Sequence, residues 1–226
     1  MSDKLSDMIR LEDIQQNPEL EVLMKKVHEY LATMLAITHD EEHARHVANL
    51  SYRILKMLDY PDRDAELAAI AGYMHDIGNV VNRYEHGRSG ALIAFHFLMR
   101  IGMPPEEIAI IIAAIGNHEE RSGFAVSNVA AAVILADKSN VHYTRVRKED
   151  VSTFTTRDRV NYAARKSYLT ADPKNREIIM NLEIDTSICS VMDYFEIFMT
   201  KMLLCRRAAD FLNCRFGLVI NGSRML

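Results

Sequence analysis

Residues 68–78, AAIAGYMHDIG, are the stretch of sequence that decides the fold. Ala68 and Gly72 lie four residues apart on one side of a helix, and such small side chains let a second helix approach closely. The stretch therefore predicts a helix packed inside a helical bundle. His75 and Asp76 follow at the end of this helix, where an adjacent imidazole and carboxylate can converge on one cation.

Helical periodicity extends on both sides of this stretch, from residue 18 to about residue 140. Prolines, glycines and capping residues, among them Asp40, mark the predicted helix ends. The first predicted helix begins at residue 18 and ends at a break over residues 38–42. The other predicted helices cover residues 40–58, 61–78, 86–101, 104–118 and 127–140. This pattern predicts a helical domain over residues 18–150.

The character of the sequence changes after Asp150. Residues 178–184 and 216–220 alternate apolar with other side chains, a period of two that predicts two strands, and a helix is predicted between them at residues 187–212. The basic residues within 142–168 predict a loop and one exposed helix. Two strands and one helix are marginal alone, so this small α+β appendage, residues 151–226, must pack on the helical body or pair with another chain. The predicted fold class is mainly α.

The composition excludes several functional classes. Of the 226 residues, 49% are hydrophobic, and the net charge of −4 is too small and of the wrong sign for nucleic-acid binding through a basic field. No apolar run approaches the roughly 20 residues that a membrane span needs. The N-terminus lacks a signal-peptide pattern, and the three cysteines form no CxxC pair, which is typical of free thiols in a reducing compartment. We expect a cytoplasmic protein.

Helical position selects candidate metal ligands from the nine histidines. His43 lies on a stripe that continues through Val47 and Ile54 and faces the core, whereas His46 shares its side with Arg53, a more polar face. His43 is therefore the predicted buried histidine. The histidines that we assign to the surface, to packing or to support of the ligands are His28, His39, His46, His96 and His142.

Three further residues extend apolar stripes at helix ends or on inward faces. His86 begins the fourth helix, His118 ends the isoleucine-rich fifth helix, and Asp137 lies on the inward face of the sixth. Any single buried histidine is more often a satisfied core residue than a ligand, and Asp137 alone could be a hydrogen-bond acceptor at a helix end. Because five helices each bring a ligand-type residue inward, the joint pattern predicts a metal site.

The ordered set formed by His43, His75-Asp76-Ile77-Gly78 and Ala136-Asp137-Lys138 resembles the HD-domain superfamily of metal-dependent phosphohydrolases. The motif-bearing stretch is residues 43–137. The resemblance implies an HD-domain helical bundle and a first metal ion bound by His43, His75, Asp76 and Asp137.

Two additional segments resemble the dinuclear branch of this superfamily. Residues 86–91, HGRSGA, and residues 117–119, NHE, look like the segments that carry its extra ligands. The resemblance implies that Asp76 bridges two ions and that His86 and His118 hold the second. An H-G-x-x-G-A segment is shared with bacterial HD hydrolases of dinucleoside polyphosphates. Residues 121–124, RSGF, depart from the signature of HD-GYP phosphodiesterases, so cyclic di-GMP is not favoured as substrate.

Imidazole and carboxylate ligands suit two divalent transition-metal ions, whether iron, manganese, nickel, cobalt or zinc. Such a pair would activate water for attack on a small, nucleotide-like phosphoester, with Asp76 as the catalytic bridging ligand. Arg88 and Lys138 are candidate phosphate-binding residues because each is close in sequence to a ligand, although each could equally be a solvated surface charge. Glu119 and Glu120 are expected to be surface acids at a helix end.

Two other functional classes stay open. A few members of the superfamily use the same histidine-rich pair of irons to activate O₂, so a diiron oxygenase is one alternative. The other is a non-catalytic sensor or assembly module that keeps the metal for structure. In either class, or in the hydrolase, the C-terminal strands could form a homodimer.

Overall fold

A computed structural model describes residues 8–34 and 41–226, and α-helices make up most of this part of the chain. The α-helices are α1 (Leu11–Gln15), α2 (Pro18–Thr33), α3 (Glu41–Met57), α4 (Asp62–Met74), α5 (His86–Arg100), α6 (Pro105–Gly116), α7 (Asn128–Ser139), α8 (Thr156–Ala163) and α9 (Val191–Phe211). The strands are β1 (Ala164–Asp172), β2 (Glu177–Ile184), β3 (Arg215–Ile220) and β4 (Ser223–Arg224). The predicted mainly-α class is confirmed. The predicted cap Asp40 and residues 38–40 of the predicted helix break lie outside the described residues.

Helices α3 and α4 pack closely because of small side chains at their contact. A Cβ atom added to Gly72 would lie 3.1 Å from the Cα atom of Ala48, so the glycine lets the two backbones approach. The close approach predicted from the sequence is thereby confirmed. It fixes the end of α4, and therefore His75 and Asp76, against the helix that carries His43.

Helix α7 is the central helix of the bundle. Every residue from Val129 to Ser139 is buried, and α7 contacts α3, α4, α6 and α9. Its many alanines leave room for neighbours on all sides, as a fully buried helix requires. Ser127 caps its N-terminus by accepting a hydrogen bond from the backbone N–H of Ala130. Asp137 and Lys138, near its other end, are thus held inside the molecule.

The C-terminal part of the chain forms a four-stranded sheet in the order β1-β2-β3-β4. Strands β1 and β2 form an antiparallel pair, α9 connects β2 to the parallel strand β3, and β4 returns antiparallel to β3. The prediction of only two strands was wrong. Strand β1 was missed because it lies at an edge of the sheet and its exposed face carries Lys166, Tyr168 and Thr170, which leaves a weak apolar pattern.

The appendage packs on the helical body, as the sequence predicts. One hydrophobic core includes Leu135 of α7, Phe198 of α9 and Leu218 of β3. This core contains residues from both sides of the predicted boundary between residues 150 and 151. That boundary between two domains stays a prediction. Within the described ranges, no helix is both long and apolar enough to span a bilayer.

Candidate metal centre

The six predicted ligands converge on one place in the bundle although they come from five different segments. They lie on α3, after the end of α4, at the start of α5, just after α6 and on α7. All six are buried: His43, His75, Asp76, His86, His118 and Asp137. Their donor atoms form overlapping groups of three within which all atoms lie within 4.8 Å of one another.

The two carboxylate oxygens of Asp76 face different histidines. Oδ2 lies 3.2 Å from Nε2 of His75 and 3.6 Å from Nε2 of His43. Oδ1 lies 3.1 Å from Nε2 of His86 and 4.0 Å from Nε2 of His118. Asp76 therefore stands between two pairs of imidazoles, with one oxygen toward each pair.

Asp137 closes the side of the cluster occupied by His43 and His75. Its Oδ1 atom lies 3.4 Å from Nε2 of His43 and 3.7 Å from Nε2 of His75. Its Oδ2 atom accepts a hydrogen bond of 2.5 Å from Nζ of Lys138. Burial alone would raise the pKa of Asp137, but Lys138, His43 and His75 outweigh it and hold the pKa well below its ordinary value. The carboxylate is thus ionised, as a ligand must be.

Backbone carbonyls orient three of the imidazole rings. In each, Nδ1 lies within hydrogen-bond distance of the carbonyl oxygen three residues earlier in the chain. The pairs are His75 with Gly72 at 2.7 Å, His86 with Arg83 at 3.0 Å and His118 with Ile115 at 2.6 Å. Because a carbonyl can only accept, Nδ1 is the donor, and the neutral ring presents the lone pair of Nε2 to the cluster.

This donor set fits divalent metal ions. The Nε2 atoms of His86 and His118 lie 3.0 Å apart, and two lone pairs at that distance repel unless a cation or a proton lies with them. Nε2 of His75 is buried, and it makes no hydrogen bond within the described part of the chain. Burial, the neighbouring His75, Lys138 and His86 together hold the pKa of His118 well below its ordinary value, which favours the neutral, metal-binding form.

Glu119 supports the start of α5. The sequence predicted only a surface acid at this position, so this role was missed. Its Oε1 atom accepts a 2.7 Å hydrogen bond from the backbone N–H of Gly87 and lies 3.6 Å from Nδ1 of His86. A carboxylate near the outer nitrogen of a ligating histidine helps to fix the position of the ring. The signal available in the sequence was the position of Glu119, directly after His118.

A cavity of about 480 Å³ opens over the cluster and brings cationic side chains to it. Asp76, His86, His118 and Asp137 line it together with Lys138. Arg88 is not among its lining residues: its side chain is 70% exposed, with Nη1 3.1 Å from Glu85 Oε1. The structure thus brings Lys138, but not Arg88, to the place where the sequence predicted a phosphate contact.

Three other cationic residues in the cavity wall come from outside the motif-bearing stretch: Arg145, Arg157 and Lys201. They were not among the predicted site residues. For Lys201 a signal was present, since this lysine continues the buried face of α9 that Tyr194, Phe198 and Cys205 form. A lysine in an apolar stripe is noteworthy, because lysine is almost never fully buried unless its charge is paired.

Comparisons with known proteins identify a family for this chain. A model of the family described as HD domain matches residues 41–164, more than half of the chain. Among solved structures, a predicted HD superfamily hydrolase from an uncultured Thermotogales bacterium is 22% identical, with a TM-score of 0.44, over 58% of this chain and 73% of that one. A search of curated proteins returned no match. On the strength of the family match, this chain belongs to the HD domain family.

Proposed function

We propose that this protein is a phosphohydrolase that uses two divalent transition-metal ions to cleave a small, nucleotide-like phosphoester or phosphoanhydride in the cytoplasm. In this proposal it needs no nucleic acid or membrane as a partner. The observation that carries it is the position of Asp76, whose two oxygens face separate pairs of histidines. A carboxylate placed in this way suits a bridge between two ions.

The ligand distribution follows from the distances around Asp76 and Asp137. His43, His75, Asp76 and Asp137 would hold the first ion, because the two carboxylates each approach the Nε2 atoms of the same two histidines. Asp76, His86 and His118 would hold the second, since their donor atoms form one of the groups within 4.8 Å.

Two such ions, when bound, would polarise a phosphoryl oxygen and lower the pKa of a coordinated water towards about 7. The side chains of the protein supply the protonation states of the ligands and a contact to the phosphate. Asp137 stays ionised and His118 neutral without any further proton transfer. Lys138 lines the cavity beside the ligands and can donate a hydrogen bond to a phosphate oxygen. The cationic wall of the cavity favours a phosphate-bearing substrate over an uncharged one.

The proposal is tested by measuring metal content and the hydrolysis of a panel of phosphoesters and phosphoanhydrides. We expect about two ions per chain and metal-dependent phosphate or nucleotide release. Asp76→Ala should lower turnover more than about 100-fold, since even substitutions of residues that only support a ligand cost 10–100-fold. Asp62→Ala is the matched control, because Asp62 is an exposed carboxylate in the first turn of α4.

The same measurements separate the alternatives. A fully metal-loaded protein that hydrolyses no compound of the panel would contradict the proposal. If that protein contained iron and consumed O₂, the oxygenase would replace it. Full metal content with neither activity would indicate a sensor or assembly module.

We also propose that the chain forms a homodimer through its C-terminal sheet. Strand β1 lies at one edge of that sheet, and an edge strand can pair with a strand of a second copy of the chain. Light scattering on the purified protein measures the mass directly, and a monomer at high concentration would contradict this proposal.

A further inference from the structure

Lys201 brings a buried positive charge from the appendage to the cavity over the metal centre. The residue is only 5% exposed, yet it lines the cavity. Its Nζ atom lies 3.8 Å from Oε1 of Glu120, which is too long for a hydrogen bond. Within the described part of the chain this ammonium makes no hydrogen bond, so its burial is costly unless a ligand in the cavity accepts one.

The ring of Phe198 contacts Lys201 and also a second cation, Arg157. Nζ of Lys201 lies 4.3 Å from the centroid of the Phe198 ring, and the guanidinium carbon of Arg157 lies 5.7 Å from the same centroid. Both contacts are within the range of cation–π attraction. Phe198 thus contacts an ammonium from α9 and a guanidinium from α8, and both of these residues line the cavity.

Arg145 adds a third cation from the segment between α7 and α8. Its side chain is buried and lines the cavity, and its Nη1 atom donates a 2.7 Å hydrogen bond to the carbonyl oxygen of Asn140. That bond holds the guanidinium of Arg145 in the cavity wall, where its positive charge adds to those of Lys201 and Arg157.

The charges in this wall repel one another. Burial, first, and then the nearby Lys138 and Arg145 lower the pKa of Lys201 to about 8, while Glu120 and Asp137 oppose that shift. A bound anion would relieve this repulsion and could accept a hydrogen bond from the Lys201 ammonium. The cavity therefore has an excess of positive charge on the side that the appendage builds.

We propose that Lys201, Arg157 and Arg145 form an anion subsite that binds a second phosphoryl group of the substrate, apart from the one at the metal centre. This inference rests on the proposed function. It assigns a role to the appendage, which supplies two of the three residues, and it narrows the substrate class to compounds with at least two phosphoryl groups.

The subsite is tested first by binding, with inorganic phosphate as the probe and isothermal titration calorimetry as the measurement. We expect two phosphate sites on the purified, metal-containing protein. Lys201→Met should weaken one of them by about tenfold or more, the scale of one charge-assisted hydrogen bond, and Asp76→Ala should remove the other. Arg206→Met is the matched control, because Arg206 is an exposed cation on the same helix.

The binding experiment distinguishes failure of the subsite from failure of the proposed function. Two unchanged sites in Lys201→Met, or a single site that Lys201→Met and Asp76→Ala weaken equally, would overturn the subsite. Failure of the proposed function looks different: no phosphoester would be hydrolysed, while the phosphate site that depends on Lys201 would still be present.

Kinetics give a second, independent readout. Lys201→Met should raise KM about tenfold or more for a substrate with two phosphoryl groups and should lower kcat/KM for a single-phosphate ester to a clearly smaller extent. Lys201→Arg, which keeps the charge, should restore most of the lost affinity. An equal loss on both kinds of substrate in Lys201→Met would contradict a separate subsite.

Discussion

Oδ1 of Asp76 lies 3.1 Å from Nε2 of His86, and this contact joins the end of one helix to the start of another. Asp76 follows α4, and His86 is the first residue of α5. The other oxygen of Asp76 faces His75 and His43 instead. Because the two oxygens serve different histidines, the two proposed ions should be separable by substitution of histidines alone.

His86→Ala should therefore remove one ion and leave the other. His43, His75 and Asp137 are untouched by this change, so metal content should fall from about two ions per chain to about one. Activity should fall more than about 100-fold, since both ions act on the same phosphoryl group. Elemental analysis of the purified protein measures the stoichiometry.

The control for this experiment is His96→Ala. His96 is an exposed histidine on the same helix α5, so its substitution removes an imidazole without changing the cluster. It should keep the metal content of the wild type. Loss of both ions in His86→Ala would show that the two sites do not form independently.

Glu119→Ala should lower the affinity for the ion that His86 holds by roughly 10–100-fold. The carboxylate accepts a hydrogen bond from the N–H of Gly87 and lies beside Nδ1 of His86, so its removal loosens the start of α5. Competition with a chelator measures the affinity. Glu119→Gln keeps an acceptor oxygen and should lose less.

Glu106→Ala, at an exposed position in the first turn of α6, provides the matched control. It should bind both ions as the wild type does. Equal chelator resistance of Glu119→Ala and the wild type would mean that the carbonyl of Arg83 alone orients His86.

The helices and the order of the ligands could be predicted because both depend on local sequence. Apolar periodicity placed His43 on the buried face of α3, and the prolines and glycines marked helix ends to within a few residues. The same local reasoning failed for Arg88. Two residues along a helix turn by about 200°, so Arg88 points away from the side where His86 meets the cluster.

The cationic wall could not be predicted because it depends on contacts between distant parts of the chain. Lys201 lies close to Glu120, although α7, α8 and the hairpin of β1 and β2 separate them in sequence. Periodicity can show that Lys201 is on a buried face, but it cannot show which helix that face meets. Strand β1 was missed for a related reason, since its pairing with β2, rather than its own composition, makes it a strand.

Gly78→Ala should destabilise the fold and weaken the metal site together. A Cβ atom at this position would lie 1.9 Å from the carbonyl oxygen of His86 and 2.5 Å from the backbone nitrogen of Gly90, so the start of α5 would have to move. Forced overpacking of this kind costs about 1–3 kcal/mol or more. Denaturant unfolding measures the free energy of unfolding, and elemental analysis should show loss of the ion held by His86.

Gly116→Ala is the control for this substitution. Its added Cβ would lie 3.8 Å from Cβ of Ala91, an ordinary contact, and alanine is the better helix former by up to about 1 kcal/mol. It should match or exceed the stability of the wild type. A Gly78→Ala protein with unchanged stability and metal content would show that α5 can shift without displacing His86.

Lys201→Met should stabilise the protein below pH 8, and the difference should disappear as the pH rises. Burial and the neighbouring Lys138 and Arg145 lower the pKa of Lys201 to about 8 from its ordinary value of 10.5, against the opposing effect of Glu120 and Asp137. The unfolded chain therefore binds a proton more readily than the folded one between these two values, so the stability of the wild type rises with pH there.

Below pH 8 both states are protonated, and the wild type carries the full cost of the buried charge, about 3 kcal/mol. Methionine removes that cost at similar side-chain volume, so the difference in free energy of unfolding should be largest at pH 7 and should shrink through pH 8 to 10.5. Denaturant unfolding of both proteins at several pH values measures it. Saturating phosphate should stabilise the wild type more than Lys201→Met at pH 7, because only the wild type has the ammonium that the anion would neutralise. A difference between the two proteins that did not vary with pH would show that Lys201 has an ordinary pKa.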